Sequence, residues 1–83
     1  MRITLKLFAS LAEHLPPGAG RNEAEVEVPD GASVQDVLDR FNLSQEQAHL
    51  VTRNGVFVPC SLRSEERLDS GDAVAVWPPV AGG

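Results

Sequence analysis

The sequence has one cysteine, few aromatic residues and no long apolar run. Cys60 stands alone among 83 residues, so the chain can form no internal disulfide, which fits a reducing cytosol. No apolar stretch reaches the roughly 7 to 15 residues of a signal peptide or the roughly 20 of a membrane helix. We therefore expect a soluble, cytoplasmic protein.

Basic residues are also scarce. Seven lysines and arginines stand against twelve acidic residues, which gives a formal net charge of -5. A negative net charge argues against binding to the nucleic-acid backbone or to an anionic membrane surface, because both are negatively charged. The sequence predicts neither as a partner, and a basic protein is easier to accommodate.

Groups that could build a catalytic or metal site are sparse and scattered. His14 and His49 are far apart, and no Cys-x-x-Cys or His-x-x-x-His spacing occurs. No glycine-rich loop precedes a helix to hold a phosphate. We predict no self-contained active site, no metal and no bound cofactor, and we interpret Cys60 as a free thiol on a loop.

What the sequence does contain is regular alternation of apolar and polar side chains. A period of two indicates strands with one buried face. Asn54-Gly55 is a strong hairpin signal, because both central positions of a type I′ turn need positive φ. The predicted strands cover residues 2–8, 23–28, 50–53, 56–58 and 73–77.

One amphipathic helix separates the second and third strands. Ser33 stands at its N-cap position, and apolar residues follow at i, i+3, i+4 and i+7 from Val34 to Phe41. Shorter helical turns are expected at residues 11–15 and 44–47. The order strand, strand, helix, hairpin, strand is that of a β-grasp, ubiquitin-like α+β fold. We predict one domain over residues 1–83, with a mixed sheet of about five strands and the helix packed on one face.

Side-chain parity divides the predicted sheet into two faces. The inward set comprises Ile3, Leu5, Leu7, Val26, Val28, Val34, Val37, Leu38, Phe41, Val51, Val56, Val58, Leu68, Val74 and Val76. If these point inward, then Phe8, Phe57 and Trp77 point to the opposite face. Large rings are common anchors of protein interfaces, so this face is predicted to dock a partner. The alternative is that residues 11–21 fold back over the rings.

The last predicted strand runs into an unusual tail. Two prolines hold an extended backbone, so residues 78–83 are expected to project as a flexible tail. The final glycine pair has no side chain to block a narrow channel, and another protein's active site could grip its backbone. The alternative is an ordinary glycine-rich disordered end.

Several segments resemble the MoaD/ThiS family of ubiquitin-like sulfur carriers. The Pro-Pro-Val-x-Gly-Gly ending is typical of the small subunit of molybdopterin synthase, and the likeness runs nearly end to end. The segments are Leu7-Phe8-Ala9-Ser10, Asn54-Gly55, Ser70-Gly71-Asp72 and above all Trp77-Pro78-Pro79-Val80-Ala81-Gly82-Gly83.

The resemblance implies a carrier that catalyses nothing itself. A ubiquitin-activating-type adenylyltransferase would use ATP to adenylate the carboxylate of Gly83, and a sulfur donor protein would supply the sulfur of a thiocarboxylate. That sulfur would be donated inside a larger, MoaE-like synthase subunit, with Gly82 as the bare backbone that enters the channel. The residues that match the family's docking surface and tail are Phe8, Phe57, Trp77, Pro78, Pro79, Val80 and Ala81.

The same residues are also compatible with other functions. The tail would be identical in a carrier for thiamine or another pathway and in a ubiquitin-like protein modifier. A non-catalytic interaction module would need only the apolar face.

Overall fold

The alternating stretches of the sequence form one mixed sheet in the computed structural model, which describes residues 1–80. Two short 3-10 helices, Ala9–His14 and Cys60–Leu62, lie in the connections. Within the described residues, no helix is long and apolar enough to cross a membrane. The main elements are β1 (Arg2–Leu7), β2 (Glu23–Glu27), α1 (Val34–Arg40), β3 (Leu50–Arg53), β4 (Val56–Phe57) and β5 (Ala73–Trp77).

The first and last strands lie side by side within the sheet. The strand order is β2-β1-β5-β3-β4, with β1 and β5 parallel and Leu5 opposite Val74. All other neighbours are antiparallel, with Ile3 opposite Val26 between β1 and β2. This arrangement confirms the predicted β-grasp fold.

The helix begins with a complete capping box. The Ser33 hydroxyl accepts a hydrogen bond from Asp36 N at 3.0 Å, and the Asp36 carboxylate accepts one from Ser33 N at 2.9 Å. The backbone hydrogen bond from Ser33, together with that from its side chain, lowers the pKa of Asp36. Phe41 caps the other end and Asn42 follows with a φ of 62°, so α1 stops at Arg40, slightly earlier than predicted.

The turn predicted at residues 44–47 has the same reciprocal pattern. Gln47 N donates to the Ser44 hydroxyl at 3.1 Å, and Ser44 N donates to the Gln47 side-chain oxygen at 3.0 Å. A capping box is therefore present at Ser44 as well as at Ser33.

The core lies between α1 and one face of the sheet. Of the residues predicted to face inward, all are buried except Phe41, which is partly buried, and Val56. Val56 is 69% exposed, so its prediction was wrong. It lies beside the hairpin turn on the edge strand β4, and its cross-strand neighbour is the charged Arg53 rather than an apolar residue.

Arg63 is buried, which the sequence did not predict. Only 2% of its surface is exposed, and its backbone oxygen accepts a hydrogen bond from Gln35 N at 2.9 Å. Within residues 1–80, its Nε and Nη1 atoms have no hydrogen-bond partner. A buried guanidinium with unpaired N–H groups carries a desolvation cost.

A polar cluster joins the β3–β4 hairpin to the turn before β5. Asn54 and Gly55 have φ values of 51° and 83°, which confirms the predicted type I′ turn. Arg53 Nε donates to the Asp72 carboxylate at 2.9 Å, and Asn54 Nδ2 donates to it at 3.0 Å. Burial alone would raise the pKa of Asp72, but hydrogen bonds from Asp69 N, Asn54 and Arg53 outweigh it, and the pKa is lowered.

Candidate functional site

The face of the sheet opposite α1 carries the exposed rings. The register places Leu50 opposite Trp77 and Thr52 opposite Phe57, so these side chains share one face. Val51 and Val76, which lie next to them on β3 and β5, point the other way and are buried in the core. We call the outward surface formed by Phe8, Leu50, Phe57 and Trp77 the outer patch.

Phe8 and Trp77 form the centre of the outer patch. Their rings stack with centroids 4.8 Å apart and planes inclined by 10°. Phe8 N donates to Val76 O at 3.2 Å, which holds the end of β1 against β5. The next residue, Ala9, adopts a φ of 52°, in the left-handed region, where the chain leaves the strand. The stack therefore joins two neighbouring strand ends.

The outer patch remains open to solvent in the described part of the chain. Phe57 is 56% exposed and Leu50 is 39% exposed, while Phe8 and Trp77 are half-buried. The 3-10 helix that follows β1 sends Leu11 into the core. A patch of neighbouring large apolar side chains is a common feature of protein interfaces.

The tail begins directly at the outer patch. His49 N donates to Trp77 O at 3.1 Å, where the pairing of β5 ends. Pro78 is half-buried, whereas Pro79 and Val80 are exposed. Residues 78–80 and Trp77 line an apolar cleft with His49 and Leu50. The outer patch and the root of the tail therefore form one continuous surface.

The remaining predicted site residues lie outside the described part of the chain. These are Ala81, Gly82 and Gly83. Their roles stay predictions.

The potential catalytic side chains have separate surroundings. The Nδ1 atom of His14 donates a hydrogen bond to Phe41 O at 3.1 Å. Cys60 is exposed, and its Sγ atom accepts a hydrogen bond from Gln45 Nε2 at 3.4 Å. Among residues 1–80, no group of three or more His, Cys, Asp and Glu side chains could hold a metal ion. The described site is an exposed apolar surface at the root of the tail.

Sequence reasoning missed Leu50 as a member of the outer patch. The signal was present, because Val51 was assigned to the core and its neighbour on the strand must then point outward. Its exposure of 39% and its place opposite Trp77 show that it belongs with the rings.

Together, the fold and the apolar surface at the root of the tail define a ubiquitin-like β-grasp protein. The ThiS family model matches residues 5–83, and the chain belongs to the ThiS family, whose members are sulfur carriers and ubiquitin-like modifiers. No curated protein sequence matches the chain.

Solved structures of similar proteins extend this result. The HVO 2177 protein of Haloferax volcanii is 34% identical over 100% of this chain and 87% of its own, with a TM-score of 0.74. SAMP1, small archaeal modifier protein 1 of the same organism, is 32% identical over 100% of both chains, with a TM-score of 0.69. A putative molybdopterin converting factor subunit 1 from Pyrococcus furiosus is 27% identical over 95% of this chain and 98% of its own, with a TM-score of 0.68.

Proposed function

We propose that this protein is a sulfur carrier whose Gly83 carboxylate is adenylated and then converted to a thiocarboxylate. The observation that carries the proposal is the continuity of the outer patch with the root of the tail at Trp77. A partner docked on the outer patch would bind residues 78–83 as well, because the tail starts from Trp77 within that patch. The family match, which runs through residue 83, supports the same reading.

The chemistry explains why such a carrier needs an activating enzyme. A carboxylate is a poor electrophile at neutral pH, and joining its oxygen to AMP creates a leaving group. The carboxylate oxygen attacks the α-phosphate of ATP and pyrophosphate leaves. A sulfur donor protein then supplies sulfur to the acyl carbon, and AMP leaves. The carrier holds no ATP of its own, since the adenylyltransferase binds the nucleotide.

The outer patch and the tail have different roles in binding a partner. Phe8, Phe57 and Trp77 would supply apolar area for docking, and residues 78–81 would contact the partner next to this patch. Gly82 provides backbone without a side chain where the channel of a partner is narrowest. Docking in a fixed geometry matters because an adenylating site tolerates only small misplacements of the attacking oxygen.

The acceptor that we favour is a pterin precursor of the molybdenum or tungsten cofactor. The likeness to the Pyrococcus furiosus subunit and the Pro-Pro-Val-Ala-Gly-Gly ending support it. The carrier would then be the small subunit of a cytoplasmic molybdopterin synthase, docked to a larger, MoaE-like subunit.

Intact mass spectrometry tests the carrier function. The full chain is incubated with ATP, a ubiquitin-activating-type adenylyltransferase and a sulfur donor, and exchange of one oxygen for sulfur at Gly83 is expected. One residue added after Gly83 should abolish the exchange, because it moves the carboxylate by roughly 3.5 Å. Gly82→Val should also block it through bulk.

Cys60→Ser is the matched control, because it removes the one thiol and leaves the tail intact. It should acquire sulfur as the native chain does. Sulfur that maps to Cys60, or equal sulfur gain by the extended chain, would contradict the proposal.

A ubiquitin-like modifier is the second candidate. The likeness to SAMP1, at 32% identity over the whole of both chains, favours it. The same adenylate would then be attacked by an amine of another protein. Covalent conjugates linked through Gly83, formed in place of the thiocarboxylate, would decide for this function.

A further inference from the structure

A second cleft lies on the helix side of the sheet. It has a volume of about 240 Å³ and is bordered by α1 and by the connection from β2 to α1. The buried side chains of Val28, Ala32 and Val37 form its floor. None of the described residues that line this cleft belongs to the outer patch or to the root of the tail. We call it the helix-side cleft.

Two exposed arginines border the helix-side cleft. Arg40 is the last residue of α1, and Arg67 lies on the connection between β4 and β5. The position of Arg67 is fixed by its backbone bridge to Ser33 and by its Nη1 atom, which donates to Gly31 O at 2.9 Å. Contacts within the fold therefore hold this wall of the cleft in place.

Two carboxylates also line the cleft, but both have partners within the fold. The Asp30 carboxylate lies 3.0 Å from the α-amino group of Met1. The Asp36 carboxylate accepts the capping hydrogen bond from Ser33 N at 2.9 Å. The hydrogen bonds from Ser33 lower the pKa of Asp36, so this group is ionised at neutral pH.

The two arginines therefore have no carboxylate partner in the described part of the chain. Asp36 and Arg40 are one helical turn apart, a spacing at which opposite charges often pair. The Asp36 carboxylate is turned back to the capping box instead, and across residues 1–80 no carboxylate lies within ion-pair distance of Arg40 or Arg67. The Arg40 guanidinium is thus available to an acceptor from another molecule.

The size and chemistry of the cleft favour one side chain over a cofactor. Pockets for drug-sized ligands measure about 300–1,000 Å³, and this cleft is smaller. Guanidinium groups bind carboxylates through paired N–H donors, and the apolar floor suits an aliphatic side chain. A phosphate dianion would gain nothing from that floor and would be repelled by Asp30 and Asp36.

We propose that the helix-side cleft binds an acidic peptide segment of a partner protein. A glutamate carboxylate of the segment would lie between Arg40 and Arg67, and an adjacent apolar side chain would cover Val28 and Val37. The charges are complementary, because the segment supplies the carboxylate that the two arginines lack. The inference goes beyond sulfur transfer and does not depend on Gly83. It gives the protein a second docking site that shares no described residue with the outer patch.

Two short peptides test the proposal on the full, isotope-labelled chain. They are acetyl-Gly-Leu-Glu-Leu-Gly-amide and the same peptide with glutamine in place of glutamate. The net charge of -5 gives an acidic peptide no general attraction to this protein, so tighter binding of the glutamate peptide would report a local contact. In an amide NMR titration, we expect shifts at Ala32, Val37 and Arg40, and about tenfold tighter binding of the glutamate peptide.

Arg40→Gln should weaken binding of the glutamate peptide about tenfold, because it removes one charged donor. Thermal unfolding should not change, since Arg40 has no ion pair to lose within residues 1–80. Arg21→Gln is the matched control, because Arg21 is equally exposed but lies outside the cleft. It should bind the peptide as the native chain does.

Four results would overturn the proposal. They are equal affinity for the two peptides, equal loss in Arg40→Gln and Arg21→Gln, shifts confined to the outer patch, and no shift at millimolar peptide. None of them would affect the proposed sulfur transfer, which intact mass spectrometry tests separately.

Discussion

The ring of Phe8 stacks on the indole of Trp77 at a centroid distance of 4.8 Å, across the boundary between the two parallel strands. Aromatic pairs of this geometry contribute about 0.5–1.5 kcal/mol beyond the area that they bury. Both stacked residues are half-buried, and the stack lies at the residue from which the tail departs. The direction of the tail root is thus set by the first strand as well as by the last.

Trp77→Ala should weaken docking to the proposed larger synthase subunit by about 2 kcal/mol or more, because the half-exposed indole would be desolvated on binding. The isolated fold should lose less, since the ring is half-exposed. Titration calorimetry and urea unfolding measure the two effects. Leu62→Ala is the control, because Leu62 is 43% exposed but lies on the second 3-10 helix, away from the outer patch. Equal loss of affinity in both variants would refute a docking role for the patch.

Asp72→Asn should lower the free energy of unfolding by about 2 kcal/mol at pH 7, because it removes a charged acceptor of several hydrogen bonds. The folded pKa of Asp72 is lowered, so its contribution is complete above the unfolded pKa of about 4 and is lost as pH falls through the folded value. The difference between native chain and variant should therefore shrink below about pH 4.

Asp69→Asn is the matched control for Asp72. Its side chain is 86% exposed and pairs with Arg53 at 3.1 Å, so its removal should cost less than about 1 kcal/mol. Urea unfolding between pH 3 and pH 7 measures the free energy of unfolding of both variants and of the native chain. A larger loss from Asp69→Asn, or a difference for Asp72→Asn that does not change with pH, would contradict the assignment.

Gly55→Ala should destabilise the fold by about 1 kcal/mol through backbone strain alone. Gly55 has a φ of 83°, and a Cβ there would meet no atom within 4 Å. Gly20→Ala is the control, since its φ is not in the left-handed region and its Cβ would meet only Glu23 O at 3.4 Å. It should be neutral or stabilising by up to about 1 kcal/mol. Similar losses in both variants would argue against strain as the cause.

Arg63→Met should leave the free energy of unfolding unchanged or raise it. The substitution keeps much of the buried volume and removes a guanidinium with two unpaired nitrogen atoms. Arg67→Met should give no gain, because Arg67 is exposed and donates to Gly31 O at 2.9 Å. Thermal unfolding at one pH compares the two. A marked loss for Arg63→Met would show that its charge is compensated in solution.

The sequence predicts most of this fold because its strongest signals are local. The capping box of Ser33 and the turn at Asn54-Gly55 depend on residues three or fewer positions apart. Parity then assigns Phe8, Phe57 and Trp77 to the outer face. The prediction is wrong where the burial of a side chain depends on a residue that is its neighbour only in the folded sheet. Val56 has the right parity for the core, but Arg53 lies opposite it at an open edge.

Other features were beyond local reasoning. The burial of Arg63 depends on how the loop after β4 packs beside the start of α1, and no periodicity encodes that. The stack of Phe8 on Trp77 depends on the parallel pairing of strands from opposite ends of the chain. Parity predicts the face of each ring but not which rings touch.

That parallel pairing also bears on synthesis by the ribosome. β5 pairs with β1 on one side, where Val74 lies opposite Leu5, and with β3 on the other. In an emerging chain, β1 and β3 therefore lack this shared neighbour until residues 73–77 leave the exit tunnel. Until then both strands present unpaired backbone edges, which are open to aggregation and to chaperones. A nascent chain that ends before β5 can form the β1–β2 hairpin and the β3–β4 hairpin but cannot join them into one sheet.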